Sequence, residues 1–312
     1  MSGGRKTSVI IGMCTCNRGP LLQLALEHVA RIEWDGPGEY ELAMIVVDNA
    51  PDGKARVTCD TVRAQMPFPL HFVEEHERGA SHARNRVVRE MLECDGDFLA
   101  FLDDDDRVEP DWLAQLLRRQ VETGADIVMG SFIDELPDDP PQAFEEKHRR
   151  LLKRAEKPIW NRFGLPNAMA TCNVLIARSV LEKLTIAGNA FDPTFSMTLG
   201  EDSDFFMRAR KVGARFARAR GSAIHYRIPP ERTSATARFR HRFKMGRAEA
   251  KLVHLHLAPT QRRRWIGYVC WRLIRSTLLL PVQYVAGKDT WPELAGKAGW
   301  PFGALLAYFA RS

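Results

Sequence analysis

The 312-residue chain has no run of 18 or more uncharged apolar residues, so no membrane-spanning helix is expected. The apolar stretch 9–14 behind the polar start Met1-Ser-Gly-Gly-Arg-Lys-Thr-Ser8 is too short for a secretory signal core, which places the first domain in the cytosol as an expectation. Six cysteines, at 14, 16, 59, 94, 172 and 270, form no CxxC and no zinc spacing, so reduced and mostly buried thiols are expected. Internal repeats and low-complexity tracts are also missing. With 45% apolar residues the chain can bury a substantial core in one or two units.

Acidic residues are nearly absent from one part of the chain. Between 205 and 275 stand 19 Lys and Arg against only Glu231 and Glu249, a net +17; since the whole chain carries +6, the remainder is near −11. A basic segment on an acidic body implies an anionic partner: nucleic acid, a phosphorylated ligand or an anionic membrane surface. The segment has no aromatic RNA-binding signature and no DNA-binding motif, so nucleic acid is not expected.

What the chain has in excess is aspartate at one place. Asp103, Asp104, Asp105 and Asp106 follow directly on the apolar run Phe98-Leu-Ala-Phe-Leu102. Adjacent carboxylates repel, and such a cluster is comfortable only in water or around a hard cation such as Mg²⁺ or Mn²⁺. Side chains alternate along a strand, which puts Asp103 and Asp105 on one side and Asp104 and Asp106 on the other. A solvated acidic turn is the alternative. The position between a buried strand and the helix start Glu109-Pro110-Asp111-Trp112 favours a metal site.

The apolar runs 8–14, 41–48, 70–74, 98–102, 126–132 and 171–178 read as strands, and 20–32, 80–93 and 110–123 as helices. This alternation predicts an α/β fold with a mainly parallel central sheet flanked by helices, whose ligands bind beyond the carboxyl ends of the strands. Asn17, Asp48 and the aspartates fall at those ends. The turn-rich 136–141 and the charged helical stretch 144–157 interrupt the pattern and are expected to lie over the sheet edge or the site. In Gly200-Glu-Asp-Ser-Asp-Phe-Phe-Met-Arg-Ala-Arg-Lys-Val-Gly213, Asp202 suits a helix N-cap, and Phe205, Ala209 and Val212 form an apolar stripe. A carboxylate there can also serve as a general base.

Six motifs stand in one order: Ile10-Ile-Gly-Met-Cys-Thr-Cys-Asn-Arg18, Ile45-Val-Val-Asp-Asn49, Gly79-Ala-Ser-His-Ala-Arg-Asn85, Gly96 to Asp106, Thr171-Cys-Asn173 and Gly200-Glu-Asp202. In that order they resemble the inverting family 2 glycosyltransferases of GT-A fold, over about residues 8–255. With Asp204-Phe-Phe206 and Arg240-His-Arg-Phe-Lys-Met-Gly246 the pattern is most similar to bacterial exopolysaccharide glucosyltransferases of the succinoglycan type.

The resemblance implies a role for each matched residue. Thr15 and Asp48 would meet the uracil and ribose of a UDP-sugar, Asn17 would lie at the same donor site, and Arg84 would lie near the diphosphate. Asp103 and Asp105 would be the outer pair of the DxD motif, with Asp105 the direct ligand of Mn²⁺ or Mg²⁺ and Asp103 or Asp104 facing ribose or sugar. Asp202 would be the catalytic base and Glu201 would position donor or acceptor. His225 matches a histidine that can lie near the metal or diphosphate. A core or surface histidine is the alternative.

The expected organisation is a GT-A unit over 1–250, with a nucleotide-sugar half (8–132) and an acceptor half (133–250), followed by a basic amphipathic tail over 251–312. In the tail, Arg264, Tyr268, Arg272 and Arg275 would share one helix face opposite Ile266, Val269 and Leu273, as in an interfacial helix. Packing on the catalytic unit is the alternative. Attachment to an anionic membrane surface at the inner face of the cell membrane and a lipid-linked saccharide acceptor are the partners expected. Gln261-Arg-Arg-Arg-Trp265 also matches the QxxRW signature of processive family 2 synthases, which carry it close to several membrane spans. Without such spans, transfer of a single sugar is expected. A phosphotransferase using the aspartates and a non-enzymatic basic adaptor remain as competing readings.

Overall fold

The computed structural model describes residues 5–33, 39–135, 158–167, 169–227, 234–285 and 291–310. The expected loop 136–141 and helical stretch 144–157 lie outside the described residues. In chain order the elements are β1 (Thr7–Thr15), α1 (Gly19–Val29), β2 (Tyr40–Asp48), α2 (Ala55–Arg63), β3 (Leu70–Glu74), α3 (Ala80–Glu93), β4 (Phe98–Asp103), β5 (Asp106–Val108) and α4 (Trp112–Thr123). There follow β6 (Ile127–Glu135), β7 (Asn173–Ala177), α5 (Arg178–Ile186), α6 (Glu201–Lys211), β8 (Phe216–Arg227), α7 (Ala235–His256), α8 (Pro259–Val285) and α9 (Trp291–Phe309).

The eight strands form one sheet in the order β3-β2-β1-β4-β7-β6-β8-β5. From β3 to β4 all pairings are parallel, as expected; β7 then runs antiparallel to both β4 and β6, β8 is parallel to β6, and β5 is antiparallel to β8. Both faces are covered, which is why the central strands read as continuous apolar runs. Val9, Ile11, Met13, Ala100 and Leu102 join α1, α2 and α4 in one buried cluster. Their alternate neighbours Ile10, Leu99 and Phe101 join α3, α5 and α6 in the other.

Strand register gathers the site. Thr15 pairs with Asp48 and Asp48 with Glu74, while Cys14 pairs with Asp103, so these strand ends form one rim. Antiparallel β7 begins opposite Leu102 at Asn173, which delivers Thr171 and Cys172 to the same rim.

The C-terminal part is helical, as expected, but its faces are arranged differently. Val269 is buried with Trp265, Val253 and Ala304, and Ile266 packs against that cluster, so this apolar face lies against the protein. Toward solvent α8 instead presents Trp271, Ile274 and Leu278, and α9 presents Phe302, Leu306 and Phe309. Helices α7 and α9 touch backbone to backbone: a Cβ on Gly299 would come within 2.5 Å of the Phe239 carbonyl oxygen, and one on Gly303 would overlap the Phe243 carbonyl. Half-buried Glu249 ties the bundle by accepting from Trp265 Nε1 at 2.8 Å and Trp300 Nε1 at 3.0 Å. Burial pushes its carboxyl upward from the usual range. The expected boundary at 250 falls inside α7, and the QxxRW residues have structural work: Gln261 Oε1 accepts from Ala258 N at the start of α8, and Trp265 is fully buried. Among the described residues no helix is long and apolar enough to cross a membrane. The cysteines are free, but only Cys59 and Cys172 are buried; Cys94 and Cys270 are exposed.

Candidate active site

Strand β4 ends at Asp103, the chain turns through Asp104 and Asp105, and β5 opens at Asp106. The turn breaks the strand alternation, and the expected pairing of Asp103 with Asp105 is corrected accordingly. Buried Asp104 accepts from Thr15 Oγ1 at 2.7 Å and from Arg18 at 2.9 Å, and the same guanidinium pairs with Asp105 at 2.9 Å. Asp103 instead faces Asp106 and Cys172, with one ligand atom of each within 4.8 Å of the others.

This acidic pocket is electrostatically unsatisfied. Neither carboxylate oxygen of buried Asp106 has a hydrogen-bond partner. Burial, reinforced by Asp103 and Asp105, pushes its pKa up to about 9. Asp103 keeps 40% of its side chain open at the rim, yet burial of the carboxyl outweighs the pull of Arg84 and raises it to about 7. A carboxylate pair approached by Arg84 at 3.8 Å and by the weak thiol donor of Cys172 fits a hard divalent cation such as Mn²⁺ or Mg²⁺. Burial also holds the Cys172 thiol well above its ordinary range, so it stays protonated and is a poor ligand for such an ion.

The second carboxylate group arrives on α6. Gly200, at φ 112, makes the sharp entry that L side chains resist, and the helix begins at Glu201 without a side-chain cap. Asp202 is therefore not the N-cap expected from the sequence. Its carboxylate is turned to Thr171, accepting from Thr171 Oγ1 at 2.7 Å and Thr171 N at 3.2 Å. Deeper on the same helix, Asp204 accepts from His256 Nε2 at 2.8 Å and Arg208 Nε at 2.7 Å, which anchors α6 to the end of α7.

Arg84 joins the two groups. Projecting from α3 with 11% of its side chain exposed, it lies 3.0 Å from Glu201, 3.5 Å from Asp202 and 3.8 Å from Asp103. Burial alone would lower its pKa; Asp202, Asp103 and Glu201 reverse that and keep the guanidinium charged. Burial, with Asp202 beside it, raises Glu201 despite Arg84.

The remaining expected residues divide. Thr15 lies beneath the aspartate turn, bonded to Asp104. Asp48 is buried, and its oxygens accept from Ala50 N at 2.9 Å and Ala55 N at 3.3 Å, so it shapes the β2–α2 loop. Asn17 is exposed with φ 57 in the turn after β1. His225 is not brought to the acidic pocket: its ring lies between Glu109 and Glu135, with Nδ1 3.0 Å from Glu135, which also pairs with Arg107. Sequence reasoning missed Asp106 as a pocket wall, Arg18 as the clamp on the turn and Thr171 as the anchor of Asp202. Each lies inside or beside a quoted motif, but its partner is distant in the chain.

The sequence model described as glycosyl transferase family 2 matches residues 10–185, more than half of the chain. The chain belongs to glycosyl transferase family 2. A second model, glycosyl transferase family group 2, matches residues 98–309. This family 2 transferase is 31% identical over 245 residues to the succinoglycan biosynthesis protein ExoM of Rhizobium meliloti, covering 78% of this chain and 74% of that protein. It is 28% identical over 89 residues to the glycosyltransferase GlyA of Streptococcus pneumoniae, covering 28% of this chain but only 12% of that protein.

Among solved structures, the mannosyltransferase PcManGT from Pyrobaculum calidifontis in complex with GDP-Man and Mn²⁺ superposes with a TM-score of 0.66 at 18% identity, over 99% of this chain and 89% of that one. S. aureus TarS 1-349 in complex with UDP gives 0.53 at 13% identity, over 96% and 90%. These likenesses show the fold, and the α/β GT-A class expected from the sequence is the class found.

Proposed function

We propose that this glycosyltransferase moves one hexose, glucose, from a UDP-sugar to a lipid-linked oligosaccharide during assembly of an exopolysaccharide. Similarity to ExoM supports the pathway class, and the nucleotide-bound structures of the same fold support a nucleotide-sugar donor. The observation that carries the reading is the placing of Asp202 across Arg84 from the Asp103–Asp106 pocket. A base for the acceptor and a seat for the donor diphosphate thus share one rim.

In this reading the Asp202 carboxylate takes the proton of the acceptor hydroxyl as that oxygen bonds to the anomeric carbon and the bond to UDP breaks. The resemblance to inverting enzymes makes an α-linked donor yield a β-linked product. Both Asp202 oxygens are oriented by Thr171, and Glu201 holds the Arg84 guanidinium that aims at the same space. Asp103 and Asp106 would hold Mn²⁺ or Mg²⁺, with Asp105, the family's ligand position, on the adjoining turn. That ion, when bound, would neutralise charge gathering on the departing diphosphate. Thr15, Asn17, Asp48 and Asp104 are assigned to the nucleotide side of the site, and His225, between Glu109 and Glu135, to its margin.

The exposed residues Trp271, Ile274 and Leu278 beside Arg264 and Arg275, and the strip Phe302, Leu306 and Phe309, support peripheral attachment to an anionic inner membrane face. The catalytic assignment is tested by Asp202→Asn, which is expected to keep UDP-sugar binding while lowering transfer by at least about 100-fold. Transfer at the wild-type rate would remove Asp202 as base.

A further inference from the structure

A second basic site lies away from the aspartates. Arg162, Phe163, Arg264, Tyr268 and Trp271 line an open cleft of about 540 Å³ between the segment 158–167 and α8. Its aromatic wall is continuous: Phe163 and Tyr268 lie 5.4 Å apart, and Tyr268 stacks on Trp271 at 5.9 Å with 24° between the rings. The Arg162 guanidinium lies 3.9 Å over the Tyr268 ring, and Arg275 stands 5.3 Å over Trp271. No carboxylate lines the cleft among the described residues, and neither Arg162 nor Arg264 forms an ion pair with a described one. Guanidinium forks match phosphate oxygens, whereas aromatic walls bind apolar chains and sugar faces. Trp271 lines the cleft and is itself exposed, as are Ile274 and Leu278, three and seven residues further along α8.

We infer that this cleft holds the diphosphate of a lipid-diphosphate-linked saccharide acceptor, with the lipid leaving along Trp271, Ile274 and Leu278. The inference rests on the glycosyl-transfer reading and names where that acceptor's head group sits. Phe163 precedes Thr171, the anchor of Asp202, by eight residues, so the two are at most about 29 Å apart along an extended chain. The saccharide between head group and base would thus have to span at most about that distance.

The test is isothermal titration calorimetry of the full chain with farnesyl diphosphate. Farnesol, inorganic diphosphate and phosphatidylglycerol vesicles serve as comparisons, and UDP is titrated separately. Farnesyl diphosphate is expected to bind more tightly than either farnesol or inorganic diphosphate. Arg162→Gln and Arg264→Gln, both at exposed positions, should each weaken it at least about tenfold, as expected for one lost charge-assisted hydrogen bond. Trp271→Ala should weaken farnesyl diphosphate but not inorganic diphosphate. Unchanged affinity in the double variant Arg162→Gln/Arg264→Gln, or equal binding of farnesol, would overturn the assignment. So would a loss confined to the vesicles, which would assign the arginines to bilayer head groups. UDP binding with no farnesyl diphosphate binding rejects the cleft alone; farnesyl diphosphate binding without UDP binding rejects the donor reading and leaves the cleft.

Discussion

Replacing Arg84 with methionine keeps most of the side chain's volume and removes the one guanidinium that Asp103, Glu201 and Asp202 share. At an effective dielectric near 20, the 3.0 Å pair with Glu201 alone is worth about 5 kcal/mol before desolvation is subtracted. Removing one partner of a buried pair costs about 3–5 kcal/mol, and we expect a loss of that size at pH 8 from equilibrium urea denaturation of the metal-free protein. The sign of the pH dependence follows from the same geometry. Without Arg84, Asp103 and Glu201 have still higher folded pKa values, so the variant binds more protons when folded and its deficit grows as pH rises. With Asp103 at about 7 and Glu201 also raised, protonation should shrink the deficit at pH 5. A deficit below about 1 kcal/mol, or one equal at pH 5 and pH 8, would refute the claim that Arg84 neutralises these acids.

Two further predictions concern the acidic pocket and the helical tail. Asp106 titrates at about 9 in the fold and near 3.8 ordinarily, so its contribution to metal-free stability falls as pH rises between those values. Asp106→Asn should therefore melt above wild type at pH 8.5 without metal and lose the wild-type gain on adding Mn²⁺; lower melting without metal, or an undiminished Mn²⁺ gain, would contradict the pocket. Asp105→Asn run beside it tells a ligand, whose loss abolishes the gain, from a residue that only pairs with Arg18. In the tail, Gly303→Ala should lower stability by about 1–3 kcal/mol because its Cβ meets the Phe243 carbonyl. Gly267→Ala, with open space around it, should raise stability by about 0.5–1 kcal/mol, and urea midpoints that rank the two the other way would reject the α7–α9 contact.

The strands β1, β2 and β4 were readable in the sequence because helices cover both of their faces, leaving near-continuous apolar runs. Strand β8 was not: in Phe216-Ala-Arg-Ala-Arg220 the apolar residues are interrupted by Arg218 and Arg220, and Arg218 donates to the Asn167 carbonyl at 2.7 Å. Helix α2 presents only Ala55, Cys59 and Val62 to the core, too thin a stripe to stand out. The identities of the carboxylates in both halves of the site were visible, but their partners were not. Four identical aspartates carry no register of their own, and the turn at Asp104 and Asp105 is held by Thr15 and Arg18 from another strand end. Likewise Asp202 looked like a cap because its anchor, Thr171, comes beside it only through the antiparallel placing of β7. In α8, apolar residues occur on several sides, and the cluster around Trp265 decides which of them face inward.

The central claim is that the aspartate rim seats the diphosphate of a UDP-sugar with the help of a divalent ion. A thermal-shift panel of UDP-, GDP- and dTDP-sugars, each with and without Mn²⁺, measures this directly. The account predicts a rise in melting temperature for UDP-sugars that requires Mn²⁺. A rise with GDP- or dTDP-sugars in place of UDP would contradict the donor, and no rise with any nucleotide would contradict the claim itself.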